Sequence, residues 1–167
     1  SGNMESRLQP VLVARLLADC FTLVQPQADA RGIYLHANYQ GLEGACVTAD
    51  PVRLKQALLN LLSNSIKYNR VGGEVAVTLS MLADQFLRIS VRDTGTGIAA
   101  HRHAEVFQPF NRLHAEMSKI EGSGVGLVIT KQLVEMMDGR IDFTSELDQG
   151  TCFWLDLKRC GEAVSER

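Results

Sequence analysis

Two asparagines and a lysine share one face of an otherwise oily stretch, Leu58-Leu-Asn-Leu-Leu-Ser-Asn-Ser-Ile-Lys-Tyr-Asn69. At about 100° per residue, Asn60, Asn64 and Lys67 fall within roughly 60° of one another, while Leu54, Leu58, Leu61, Leu62, Ser65 and Ile66 gather on the far side. A core helix carrying an amide-and-ammonium stripe suggests the wall of a pocket. Neutral amide oxygens beside a cation suit a metal already wrapped by a polyanion, so the chemistry implied is binding of a Mg-nucleotide.

A second chemical segment is Asp93-Thr-Gly-Thr-Gly-Ile98, with an acid at the end of a strand-like run and glycines at alternate positions. Glycine lets the backbone turn with positive φ and lets a flat ring approach closely. A buried carboxylate here can accept from the exocyclic amine of adenine, where guanine would present another acceptor. The same residues also read as a plain turn. A dinucleotide-binding reading, from Gly95-Thr-Gly97-Ile-Ala-Ala100, requires an acid ending the next strand about 20 residues on. That distance lands in a polar stretch near Glu116, which argues against it.

Further on, Gly122-Ser-Gly124-Val-Gly126-Leu127 opens a helical run, where unpaired N–H groups and the helix dipole favour phosphate. Its spacing is not that of a P-loop. The run fits a phosphate cradle, a lid hinge, or simply a flexible helix start. Phe107-Gln-Pro-Phe110-Asn-Arg112 sets two rings suited to anchoring a loop base, then an always-charged guanidinium able to reach a phosphoryl group. Lys119 could act similarly, or be a solvated lysine. His101-x-His103 lacks further metal-type ligands nearby and reads as part of a surface helix.

These groups must be positioned by elements that the periodicity predicts. A first helix spans Val11 to about Arg31, with Pro26 expected to kink or end it and Gly32 to close it. Two short strands follow at Ile33–Asn38 and Ala45–Thr48. Asp50-Pro51 offers an N-cap and a first-turn proline for the helix bearing the polar stripe, which stops near Asn69 before Gly72-Gly73. Glu74–Ser80 and Phe86–Arg92 alternate as a hairpin. A short helix is expected near Ala99–Val106, an irregular mobile loop from about Asn111 to Ser123, a third helix over Gly124–Met137, and strands at Arg140–Ser145 and Thr151–Leu157. The fold class implied is α+β: a two-layer sandwich with one mixed sheet of about five strands and three helices on one face.

With 167 residues, 46% of them hydrophobic, the chain can bury one independent core. A formal net charge of −2 and no Lys/Arg cluster argue against nucleic acid and against an anionic membrane surface. No apolar run reaches the roughly 18–20 residues of a membrane span, and no signal peptide opens the chain. Four scattered cysteines, Cys20, Cys46, Cys152 and Cys160, lack a regular frame, so reduced thiols and a cytoplasmic setting are expected. Ser1-Gly2-Asn3 reads as a cloning remnant, residues 4–160 as one domain and 161–167 as a tail.

Taken in order, Asn60-x-x-x-Asn64-x-x-Lys67-Tyr68, Asp93-x-Gly95-x-Gly97, Phe107-x-x-Phe110-x-Arg112, Gly122-x-Gly124-x-Gly126-Leu127 and Gly150-Thr151-x-Phe153 resemble the N, G1, F, G2 and G3 boxes of sensor histidine kinases. The resemblance, to the catalytic ATP-binding domain, covers about residues 5–157. It implies the Bergerat sandwich shared with gyrase and MutL, and ATP and Mg²⁺ as ligands. Asn64 would be the direct Mg²⁺ ligand, Asn60 and Lys67 would lie close to the phosphates, and Tyr68 would line the nucleotide site. Asp93 would read adenine beside Gly95, Gly97 and Ile98; Gly122, Gly124 and Gly126 would hinge a lid, with Leu127 and Thr151 completing the site. The chain departs from the pattern at Asp148, where the family's last box usually carries glycine.

In ATP-hydrolysing relatives a glutamate stands one turn before the metal asparagine. Here that place is Asn60, which cannot take a proton near pH 7, so phosphoryl donation is expected rather than hydrolysis. Asn60, Lys67 and Arg112 would serve the transfer. None of His36, His101, His103 and His114 has the context of a family acceptor, so the accepting histidine is expected on a dimerisation domain upstream of Met4, with a response-regulator receiver downstream. A membrane tether on the intact protein stays open, and no membrane contact by this domain is expected. Two alternatives stay open: a Bergerat ATPase or protein serine kinase, and a docking module that does not turn over ATP.

Overall fold

A computed structural model describes residues 7–109 and 126–160. In chain order these form β1 (Gln9–Leu12), α1 (Val13–Ala30), β2 (Tyr34–Asn38), β3 (Cys46–Ala49), α2 (Pro51–Lys67), β4 (Glu74–Met81), β5 (Phe86–Asp93), a 3₁₀ helix (Ala100–Glu105), α3 (Gly126–Met136), β6 (Arg140–Glu146) and β7 (Gly150–Lys158). Five strands make one mixed sheet in the order β2-β4-β5-β7-β6. Only β2 and β4 run parallel in it, the pairs β4–β5, β5–β7 and β6–β7 being antiparallel. The three α-helices cover one face, as the expected α+β sandwich requires.

Alternation builds the sheet: Val75, Val77 and Leu79 of β4 and Leu87, Ile89 and Val91 of β5 are fully buried, while their neighbours in sequence face outward. Against them pack Leu54, Leu58, Leu61, Leu62 and Ile66 of α2, all fully buried. The start of α2 is set by Asp50, whose carboxylate accepts from the N–H groups of Val52 (3.0 Å) and Arg53 (3.2 Å), with Pro51 in the first turn. Asp50 also accepts from the Arg7 N–H at 3.0 Å and pairs with Arg53 Nε at 3.3 Å, tying the beginning of the described chain to this helix.

Several sequence expectations are corrected. Val11 and Leu12 belong to a strand, not to the first helix, because β3 offers them an antiparallel partner with Val11 opposite Val47 and Leu12 opposite Cys46. Of the two outcomes expected of Pro26, ending the helix does not occur, since α1 continues to Ala30. The proline ring sits on the exposed face, where the Thr22 carbonyl it leaves unpaired can reach water. The helix closes at Gly32 as expected, in a Schellman arrangement: Gly32 (φ +66°) donates to Asp29 O at 3.1 Å and Ile33 to Ala28 O at 2.9 Å. The two short strands after it separate, β2 joining the main sheet and β3 forming a two-stranded ribbon with β1.

The reduced-thiol expectation is also overturned for two of the four cysteines. Cys46 and Cys160 are joined in a disulfide across a sequence separation of 114. Spacing gave no hint of it because the partners meet only when the end of β7 returns to β3: Val47 bridges Arg159, and the Cys160 N–H donates to Cys46 O at 3.0 Å. Cys20 and Cys152 are free and buried. Among the described residues, no helix is long and apolar enough to cross a membrane.

Candidate functional site

At one end of the sheet, between α2, the loop after β5 and the β6–β7 turn, lies a cavity of about 330 Å³. Its floor is Asp93, the last residue of β5, only 8% exposed. Asp93 Oδ1 accepts from the N–H of Gly95 at 2.9 Å and of Thr151 at 3.1 Å, which aims the carboxylate into the cavity. Burial pushes the Asp93 carboxyl up to about 6, against the two backbone donors and the nearby Ser65 hydroxyl, which favour the charged form. Ser65 lies within reach of that carboxylate without meeting full hydrogen-bond geometry.

Side walls come from Asn64, Ser65 and Tyr68 of the α2 end, from Thr96, Gly97, Ile98 and Ala99, and from Leu127, Leu147, Thr151 and Phe153. Mostly apolar walls around one buried carboxylate suit a flat heterocycle bearing a single donor edge. Gly97 is required where it stands: its φ is +68°, and a Cβ would strike the Glu146 carbonyl, so the loop and the β6–β7 turn touch backbone to backbone. The turn is held there by the Asp148 N–H donating to Thr96 O at 2.7 Å. Asp148 takes φ +65°, the left-handed conformation for which glycine is favoured and which aspartate tolerates better than most side chains.

Beside the cavity runs a more open groove of about 390 Å³, lined by Gln56, Asn60, Ser63, Asn64, Lys67, Gly126 and Ile129. The polar stripe thus stays together, and Asn64 belongs to both spaces. Asn64 is 8% exposed, and its Nδ2 is buried without a hydrogen-bond partner. Half a turn of the amide would present its oxygen in the same place. An amide with one unpartnered end between an apolar cavity and a lysine-bearing groove would suit a hard cation such as Mg²⁺. Asn60 Oδ1 accepts from Gln56 Nε2 at 2.8 Å, a partner that sequence reading passed over.

Leu127 lies buried at the start of α3 and Gly126 has open space around it. Phe110, Arg112, Lys119, Gly122 and Gly124 lie outside the described residues. Phe107 packs edge-on to Phe143 and Phe153 at centroid distances of 5.9 and 6.2 Å, an anchor as expected of it. His103 bonds to Ile98 O at 2.8 Å and meets Phe143 edge-on, so it braces the wall from behind. Sequence reading placed Ser65 with the apolar side of α2, and it did not single out Thr96, Arg102 or Leu147 as cavity residues. A hydroxyl among leucines was the one available signal for Ser65. Leu147 carries none, since an exposed leucine gains meaning only from its neighbours.

Fold and cavity together define an α+β sandwich with a ligand-sized site at one end of its sheet. Residues 49–160 match the family described as histidine kinase-, DNA gyrase B-, and HSP90-like ATPase, and the chain belongs to that family. It is 38% identical over 155 residues to the sensor protein GacS of Pseudomonas syringae pv. syringae, covering 89% of this chain and 17% of GacS. It is 34% identical over 161 residues to the signal transduction histidine-protein kinase BarA of Escherichia coli K12, covering 94% and 18%. The chain therefore spans less than a fifth of the length of either relative. Among solved structures, full-length ShkA in complex with AMPPNP superposes with a TM-score of 0.81 at 31% identity, covering 96% of this chain and 33% of that one. The catalytic domain of the histidine kinase ThkA matches in fold, with a TM-score of 0.79 at 21% identity over 92% of this chain and 96% of that one.

Proposed function

We propose that this domain binds Mg-ATP and donates the γ-phosphoryl group to a histidine carried on a separate dimerisation domain of the same protein, which then serves a response-regulator receiver. The observation that carries the reading is the join of two spaces at Asn64: a mostly apolar cavity floored by Asp93 for adenine, and a more open groove with Asn60 and Lys67 for phosphates. Ionised Asp93 would accept from the exocyclic amine, and guanine would meet it acceptor to acceptor. Ile98, Leu127 and Phe153 would cover the ring, and Tyr68 and Thr151 would border it.

Asn64 would hold Mg²⁺, which supplies charge neutralisation on the phosphates when bound. Lys67 would add a mobile positive charge along the groove, and Gln56 would hold Asn60 in place. Asn60 has no basicity with which to activate water, and this favours transfer over hydrolysis. In that transfer the bond from the γ-phosphorus to its bridging oxygen breaks and a bond to the imidazole nitrogen forms. Arg112 is proposed to assist at the phosphoryl group, and Gly122, Gly124 and Gly126 to allow closure over it. The likeness to the sensor protein GacS and to the signal transduction kinase BarA, and to ThkA solved in complex with the response regulator protein TrrA, supports a two-component setting.

Calorimetric titration tests the reading. The chain is expected to bind Mg-ATP, and Asn64→Ala is expected to remove the Mg²⁺ dependence of that binding. Steady hydrolysis of ATP by the chain alone would favour an ATPase, and failure to phosphorylate an added dimerisation domain would remove the kinase assignment.

A further inference from the structure

We infer that Asn69, acting with Thr94, is a positioning residue that keeps the helix end bearing Asn64 and Lys67 in register with the loop bearing Asp93. This rests on the nucleotide reading above, because it concerns a ligand long enough to touch both. Neither residue lines the cavity or the groove. Asn69 is 4% exposed and uses both ends of its amide. Its Nδ2 donates to Glu74 O at 2.9 Å, at the start of β4. Its Oδ1 accepts from the Arg70 N–H at 2.9 Å and from the Thr94 hydroxyl at 3.0 Å. Thr94 Oγ1 in turn accepts from the Glu74 N–H at 3.0 Å.

Three chain segments thus meet on one amide: the residue after the α2 cap, the first residue of β4 and the residue after Asp93. The surrounding backbone is built for that contact. The Thr96 N–H donates to Tyr68 O at 3.3 Å, and Arg70 Nε donates to Thr94 O at 2.7 Å. A Cβ on Gly95 would run into the Tyr68 carbonyl, and one on Gly73 into Asn69 Oδ1 and Thr94 Oγ1. The Arg31 guanidinium Nη2 closes on the Asn69 carbonyl from the far side. Such a cross-brace is unnecessary for holding leucines in a core, which the packing of α2 already achieves. It fixes the distance between a base reader on one element and phosphate and metal groups on another, and a ligand spanning both is sensitive to that distance.

The test compares Mg-ATP, which spans both halves, with adenosine, which reaches only the Asp93 half, by titration of the 167-residue chain. Asn69→Ala removes three hydrogen bonds of the brace and Thr94→Val two, and each variant is expected to weaken Mg-ATP by about tenfold or more. Adenosine affinity is expected to change less than about twofold, and Thr94→Ser, which keeps the hydroxyl, is expected to restore Mg-ATP binding. Should Asn69→Ala not fold, Thr94→Val decides. Equal loss for both ligands would show a general loosening of the pocket and overturn the inference, as would unchanged Mg-ATP affinity. A parent chain that binds neither ligand would overturn the nucleotide reading and this inference with it.

Discussion

Asp93 shows how burial and hydrogen bonding pull one carboxyl in opposite directions. Removing a carboxylate from water raises its affinity for protons, and two backbone N–H donors limit that rise without cancelling it, leaving the group near 6. The sign for stability follows. The folded value lies above the ordinary carboxylate value of 3.8, so Asp93 favours the folded state progressively as pH falls from about 7 to below 4, and this contribution fades as pH rises through about 6. Nucleotide binding should run the opposite way, since only the ionised form can accept from adenine. Affinity for Mg-ATP is expected to fall between pH 7 and pH 5, with proton release on binding near pH 6, measured by calorimetry in buffers of different ionisation enthalpy. Asp93→Asn should bind at least about tenfold more weakly and lose most of that pH dependence.

At the scale of elements, α2 joins the whole site to the chain's beginning. Its far end carries Asn64 and Lys67, while its near end is capped by Asp50, which also holds the Arg7 N–H and the Arg53 side chain. Asp50→Ala would leave those donors without their acceptor and fray the first turn. Stability to urea is expected to fall by about 2 kcal/mol, at the upper end for a cap, because the Arg7 N–H loses the same acceptor. Since the stripe residues sit two to four turns further along, Mg-ATP affinity in the folded fraction should change little. The β6–β7 turn is the second element that shapes the site, through backbone contacts at Thr96 and Gly97 rather than through any side-chain chemistry.

For the whole molecule, the Cys46–Cys160 disulfide links the β1–β3 ribbon to the end of β7. Thr151, which donates to Asp93, lies at the other end of the same strand, about 30 Å away along an extended backbone. The disulfide closes a long loop, so its loss should act on stability and not on the site. Cys160→Ser, or reduction, is expected to lower unfolding stability by about 2–4 kcal/mol while leaving Mg-ATP affinity unchanged. Denaturant unfolding and titration on the oxidised and reduced chain check both halves of that expectation.

The periodicity of apolar residues was enough to mark out six of the seven strands, the three helices and the side of α2 on which the polar stripe lies, because burial selects one face of each element by local spacing; it did not say which five strands share the main sheet. The acid at the end of β5 and the glycines after it were legible for a similar reason: a backbone that must turn tightly beside a ligand leaves a mark in residue type. What depended on distant parts of the chain was not legible. The pairing of β1 with β3 required a partner strand some 40 residues on, and the disulfide required the return of β7. Ser65, Leu147 and Asn69 acquire their roles only from groups that folding brings beside them. Sequence by itself determined which residue types stand in the polar stripe and in the acid-and-glycine segment; the tertiary structure decided how the Asp93 loop and the end of α2 are held at a set distance, since that distance is carried by hydrogen bonds between segments that have no local relation to one another.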